Sequence, residues 1–240
     1  MNLPTALLAA VAGYLLGSIS FARLITRWFA PRQGIADLAV PVVGTGESAP
    51  VDIFGANAAS MILGPRFGLL VALLDMLKVA LPTLAFRLYD PGQAYFLVAA
   101  VAGLVGHNWP VYYRFRGGRG FSVILGGFFV VDCVGALATP ILGLFLGMVV
   151  IGSVPVAYVA WLWLMIPWLW FRTRDPAHLA YAVAINLIFV IATIPEMRTF
   201  ARYRREGKLD AYMQGLMELS PRWRGMKKIA DRLRVKRGQS

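Results

Sequence analysis

Charge is scarce in this chain: 15% of its 240 residues are Asp, Glu, Lys or Arg, against about 25% in soluble domains. Long stretches carry almost none, which excludes an ordinary soluble globule. Cysteine is nearly absent. A lone Cys133 leaves no intrachain disulfide framework and, set in an apolar run, reads as a small buried hydrophobe. The N-terminus lacks a basic segment and a convincing cleavage site, so residues 3–26 read as a retained span rather than a signal peptide. No Cys/His cluster has metal-ligand spacing and no Gly-x-Ser-x-Gly nucleophile occurs. Neither a metal nor another cofactor is expected. Internal repeats and low-complexity segments are missing too.

Apolar residues dominate what is there, at 58% and a mean hydropathy of +0.64. The net charge of +12 is concentrated, since 13 of the 24 Lys and Arg residues lie from Arg198 onward. A basic stretch directly after a membrane span reads as a cytoplasmic tail resting on anionic lipid, in preference to a nucleic-acid surface.

A helix needs about 20 apolar residues to cross the hydrocarbon core. Candidate spans run from Leu3 to Ile25, Phe67 to Phe86 and Ala94 to Gly106, with a polar, Gly-rich segment from Arg32 to Ser60 between the first two. The apolar stretch from Phe121 to Phe171 is too long for two spans and divides near Gly135–Pro140 and Ser153–Pro155. A last span covers His178 to Ile194. The fold class is therefore all-α: a polytopic integral membrane protein of about seven transmembrane helices over 1–195, with a basic tail over 196–240. The tail carries a short surface helix around 208–219, whose Tyr212, Met213, Leu216 and Met217 are expected to touch lipid. Arg27, Arg32, Arg66, Arg114, Arg116 and Arg119 fall in loops on the tail's side, which places the N-terminus outside and the C-terminus in the cytoplasm. Trp161, Trp163, Trp168 and Trp170 read as interfacial anchors at the outer end of the sixth span, and Trp109, Tyr112 and Tyr113 as inner ones. Asp132 reads as solvated, His178 as interfacial, and Gly17-Ser18 as a close helix-packing spot.

The most informative segment is Gly106-His107-Asn108-Trp109-Pro110, followed by Phe115-Arg116-Gly117-Gly118-Arg119-Gly120. Glycines leave backbone N–H groups unshielded, and such groups form anion-binding nests while arginine supplies bidentate donors. Together these suit a phosphate, although a flexible positive loop would have the same composition. His107 is a candidate general base or a hydrogen-bond partner of phosphate or loop. Asp75 and Lys78 share one helical face inside the second span. Burying either charge alone in lipid costs several kcal/mol, so they pair or face a polar cavity, for function or for architecture alike.

These segments resemble the bacterial membrane acyl-phosphate:glycerol-3-phosphate acyltransferases. Y-L-L-G-S-I-S-F at 14–21 is similar to that family's opening helix, with Ser20 in place of the usual proline. L-L-D-M-L-K at 73–78 resembles its second helix. G-H-N-W-P-V-Y-Y-R-F-R-G-G-R-G at 106–120 resembles its central signature, with Arg119 for lysine. D-I-F-G-A-N-A-A-S-M at 52–61 keeps Gly55 and Ala56 of the first-loop pattern, but Asn57 and Ala58 replace Thr-Asn and Met61 replaces arginine. Late in the chain Arg198 and Gly207 persist, while Phe200 stands where asparagine is usual.

The resemblance implies seven transmembrane helices in the bacterial plasma membrane. It also implies transfer of a fatty acyl group from acyl phosphate to the 1-hydroxyl of glycerol 3-phosphate, giving lysophosphatidic acid and phosphate without acyl-CoA or acyl-carrier protein. The expected catalytic residues are His107, Arg116 and Arg119. The expected substrate-binding residues are Asn108, Gly117, Gly118, Gly120, Asp75, Lys78, Gly55 and Asn57. The departures at Met61 and Phe200 point to the other reading, a noncatalytic paralogue that binds phosphorylated lipid or a partner enzyme.

Overall fold

The computed structural model describes residues 1–51, 54–221, 223–225 and 227–229. Asp52 and Ile53 of the first-loop motif, and Arg222, Arg232, Arg234, Lys236 and Arg237 of the basic tail, lie outside the described residues.

Helix α1 (Leu3–Gly17) starts where the Asn2 side chain accepts the Thr5 N–H and Pro4 occupies the first turn. It stops at Ser18, whose hydroxyl turns back to the Tyr14 carbonyl, and α2 (Phe21–Phe29) resumes after Ser20. The expected single span from Leu3 to Ile25 is thus broken at 18–20, where the Ser18 hydroxyl competes with the backbone for the Tyr14 carbonyl. A hairpin follows, with β1 (Ala39–Val42) antiparallel to β2 (Glu47–Pro50) in the register Val42↔Glu47. Its turn uses Gly44 and Gly46 at φ of +79° and +72°, where a side chain would be strained. Helices α3 (Ala56–Leu63) and α4 (Pro65–Tyr89) come next, then α5 (Tyr95–Asn108), α6 (Phe121–Val131) and α7 (Cys133–Leu144). A wider π turn over Phe145–Ile151 leads to α8 (Val154–Thr173), α9 (Pro176–Arg205) and α10 (Leu209–Leu219).

Each of the seven apolar segments is helical. Among the described residues, four helical stretches are long and apolar enough to cross a membrane, at Leu3–Phe29, Pro65–Tyr89, Cys133–Ile151 and Pro176–Arg205. Leu69, Leu73, Leu77 and Leu81 form an exposed row along α4 at four-residue spacing. A row of that kind is tolerable where the surrounding medium is itself apolar.

The core lies among α5, α6, α8 and α9, where Leu104, Ile124, Phe128, Leu162, Met165, Leu169 and Ile185 are fully buried. Helix α1 packs on α5 through small residues. A Cβ on Gly13 would lie 2.3 Å from the Ala99 carbonyl oxygen, and one on Gly17 2.2 Å from that of Gly103. The close-packing reading of Gly17-Ser18 holds.

Five expectations need correction. The break in the 121–171 stretch falls at Asp132, not at 135–140. Its carboxylate caps α7 at the Val134 N–H and accepts from the Trp168 indole (2.8 Å) and Arg172 (3.2 Å), so it is paired rather than solvated. Cys133, the first residue of α7, is exposed. Trp161 is buried in the core and Trp168 is held by Asp132, so of the four tryptophans Trp163 is the large exposed one. Finally, α10 does form, but Tyr212 and Leu216 are buried against Val40, Val42, Ala49 and Tyr203 rather than turned to lipid. A two-stranded hairpin is marginal by itself, and α10 supplies the apolar cover it needs. His178 at the start of α9 has a partner, Asp175, at 2.5 Å.

Candidate functional site

The loop between α5 and α6 is pinned from both ends. The Arg23 guanidinium donates to the Arg116 carbonyl (2.9 Å) and lies over the rings of Phe54 and Tyr113. The Tyr14 hydroxyl donates to the Trp109 carbonyl (3.0 Å). The Gly118 N–H donates to the His107 carbonyl (3.1 Å), folding the Gly117-Gly118 pair onto the end of α5. The fit explains the glycines. A Cβ at 117 would lie 2.0 Å from the His107 carbonyl oxygen, and one at 118 would lie 2.2 Å from His107 Nε2.

Beneath this loop three ionisable side chains meet. Lys78 Nζ sits 2.8 Å from Asp75 Oδ1, 2.9 Å from His107 Nδ1 and 2.6 Å from the Ile19 carbonyl oxygen. An ammonium can only donate, so the Ile19 carbonyl oxygen and Nδ1 of His107 are acceptors, and Asp75 meets it as an ion pair. The break after α1 frees the Ile19 carbonyl for this bond. All three side chains are buried. The Asp75–Lys78 pairing expected from their spacing is present, and His107 joins it.

Next to the cluster opens a cavity of about 140 Å³. Asp75, His107, Arg119 and Gly120 line it, as do Gly55, Ala56 and Asn57 at the start of α3, and Phe121 and Ser122 at the start of α6. Neither α3 nor α6 has a side-chain cap. Two helix N-termini, each with partial positive charge and outward N–H groups, therefore share one cavity with a guanidinium. Gly120, at φ +86°, makes the turn that presents α6 this way. Asn108 is buried nearby with no hydrogen-bond partner for either amide atom among the described residues.

Of the expected site residues, the cavity gathers Asp75, His107, Arg119, Gly120, Gly55 and Asn57, while Lys78, Asn108, Gly117 and Gly118 stand behind them. Arg116 is not among the lining residues; its side chain is exposed. Two contributions went unseen in the sequence. Glu196 of α9 lines the cavity in an ion pair with Arg119. Tyr212 and Leu216 of α10 also line it, with Trp223 beyond. Burial and the Glu196 carboxylate push the Tyr212 phenol up to about 12, against the smaller opposing effect of Arg119. Glu196 carried no motif, and helix α10 was legible without its packing partner.

The family model for glycerol-3-phosphate acyltransferases matches residues 7–205. The chain belongs to the glycerol-3-phosphate acyltransferase family. Among curated relatives, the glycerol-3-phosphate acyltransferase of Halalkalibacterium halodurans is 33% identical over 149 residues, covering 61% of this chain and 63% of that one. The Myxococcus xanthus protein of the same name is 36% identical over 127 residues, covering 52% and 60%. The chain thus matches less than two thirds of the length of these relatives. Its fold is that of PlsY (YgiH), an integral membrane glycerol 3-phosphate acyltransferase. The glycerol 3-phosphate form of that crystal structure superposes with a TM-score of 0.65 at 26% identity, covering 83% of this chain and 93% of that one. The lysophosphatidic acid form gives 0.66 at 23%. With this fold and its apolar helices, the chain is a multi-pass membrane protein.

Proposed function

We propose that this family member transfers a fatty acyl group from acyl phosphate to the 1-hydroxyl of glycerol 3-phosphate at the cytoplasmic face of the bacterial inner membrane. In this reading seven helices span the bilayer, with the N-terminus outside. The observation that carries it is the cavity where two uncapped helix N-termini and Arg119 converge, an arrangement suited to a phosphate dianion. Acyl phosphate is a mixed anhydride with a good leaving group, so no covalent enzyme intermediate is required. The task is to hold two anionic substrates together and stabilise the oxyanion. Arg119 and the backbone N–H groups at 55–57 and 120–122 do this. Lys78 acts from behind Asp75 and His107: with Nδ1 committed to Lys78, His107 fixes the floor on which Gly118 rests. The basic residues from Arg198 onward rest on anionic lipid.

The test is phosphate release from synthetic acyl phosphate by purified protein, which is expected only when glycerol 3-phosphate is present. Arg119→Gln removes a charge-assisted contact and lowers kcat/KM by about 10- to 100-fold. Arg116→Gln, outside the cavity, changes it by less than about threefold. Equal losses in the two variants would refute this assignment of the anion site.

A further inference from the structure

Among the described residues two carboxylates line the cavity, and their partners differ in kind. Asp75 is held by Lys78, which also serves the Ile19 carbonyl and His107 and does not touch the lumen. That partner stays where it is when substrate arrives. Glu196 is held by Arg119, itself a lining residue. Both side chains of this second pair are about 85% buried, at 16% and 15% exposure, so the pair is not a loose surface contact. Arg119 Nε and Nη2 have no hydrogen-bond partner among the described residues, so the guanidinium meets Glu196 by charge alone and keeps buried donors unused. A phosphate dianion on Arg119 brings more charge and more acceptor oxygens than a carboxylate does. It takes the guanidinium and sets Glu196 free inside the same small cavity.

We propose that Glu196 is a catalytic residue, a proton acceptor stored on Arg119 until the phosphate of the acceptor substrate displaces it. This rests on the transferase reading above. With phosphate on Arg119, the free hydroxyl of the acceptor lies within the cavity that the released carboxylate lines. The hydroxyl proton passes to a Glu196 oxygen while the hydroxyl oxygen forms a bond to the acyl carbon. The bond from acyl carbon to phosphate oxygen breaks, and inorganic phosphate leaves with the electron pair. Glu196 then gives its proton to the departing phosphate or to water and returns to Arg119. Arg119 thus keeps the base neutralised in the empty site, and binding of the correct anion releases it. An acceptor alcohol without a phosphate leaves Glu196 paired and reacts slowly, a discrimination set by substrate binding rather than by pocket shape.

The test uses the full chain in lipid vesicles, with wild type, Glu196→Gln and Glu196→Asp assayed for acyl transfer and for binding of inorganic phosphate. Glu196→Gln is expected to lose about 10²- to 10⁴-fold in kcat, the range for a general base. It should bind phosphate at least as tightly as wild type, because the internal competitor is gone. Glu196→Asp keeps the charge and the fold and retains intermediate turnover. Formate restores turnover to Glu196→Ala by supplying the missing carboxylate, which a structural role would not allow. Glu196→Gln turnover within about threefold of an active wild type would overturn the assignment, being far below a general base's contribution. Loss of phosphate binding in that variant, or no rescue by formate, would overturn it too. A wild type that binds phosphate and transfers no acyl group would instead remove the transferase reading on which the step depends.

Discussion

Replacing Gly118 by alanine tests the packing beneath the proposed anion site directly. The new methyl would stand 2.2 Å from His107 Nε2, whereas an ordinary contact begins near 3.4 Å, so it is about 1.2 Å too close. The imidazole is held in place: His107 is 8% exposed and its other nitrogen lies 2.9 Å from the Lys78 ammonium. Either the ring moves and weakens a hydrogen bond to a charged group, or the loop lifts and loses the bond from Gly118 N–H to the His107 carbonyl. Overpacking costs about 1–3 kcal/mol and a charged hydrogen bond about 1.5–3 kcal/mol, so the variant should lose about 3–5 kcal/mol. Gly92→Ala is the control, since its methyl would meet only Asp90 Oδ1, at 3.7 Å. Thermal unfolding of the purified proteins in detergent, followed by near-UV circular dichroism, should rank Gly118→Ala many degrees below Gly92→Ala. If the two melt within about one degree of each other, well under 1 kcal/mol separates them, and the tight seating of the loop on His107 is refuted.

Lys78→Met leaves the Asp75 carboxylate buried without its counterion, which should cost about 3–5 kcal/mol; Asp75→Leu/Lys78→Met should recover most of that loss, measured in the same melts. Gly215→Ala places a Cβ 1.8 Å from the Pro41 carbonyl oxygen. It should loosen α10 from the hairpin, which limited proteolysis near Gly207 would detect as faster cleavage. Burial alone would raise the Asp132 carboxyl, but hydrogen bonds from Trp168 and the Gly135 amide, with Arg172, hold it below its ordinary value. A depressed folded value means the stabilisation is complete above the unfolded value of about 4 and is lost as pH falls through the folded one. Acid melts below about pH 4 should therefore be steeper for wild type than for Asp132→Asn, and identical slopes would exclude this linkage.

The sequence told more about the bilayer than about the site. Each apolar stretch is helical over most of its length, because length and hydropathy decide that without tertiary context. The helix ends were less legible. Asp132 caps α7 through a contact to Trp168 that spans 36 residues, and a glycine or proline nearby looks like a stronger breaker than a single aspartate. The 106–120 loop was legible because glycine density and arginine are local signals. Asp75 and Lys78 were legible for the same reason, being three residues apart on one helix. Glu196 was not, because an isolated glutamate after a proline has no meaning until α9 brings it to Arg119. The hairpin at 39–50 was hidden as well: its strands are four residues each and owe their order to a helix far along the chain.

That last dependence gives the chain an order of events. Lys208 reaches back across 161 residues to Glu47, and Ser220 bonds Asn57 beside the start of α3. Synthesis proceeds from the N-terminus, and early segments fold as they emerge. The hairpin must wait, half-clothed, until the ribosome has delivered the final described helix. A nascent chain stalled before Leu209 has its membrane segments in place and its chamber still open on one side. The seam begun near residue 40 is closed only once residues 209–220 have been made, and α10 is its last stitch.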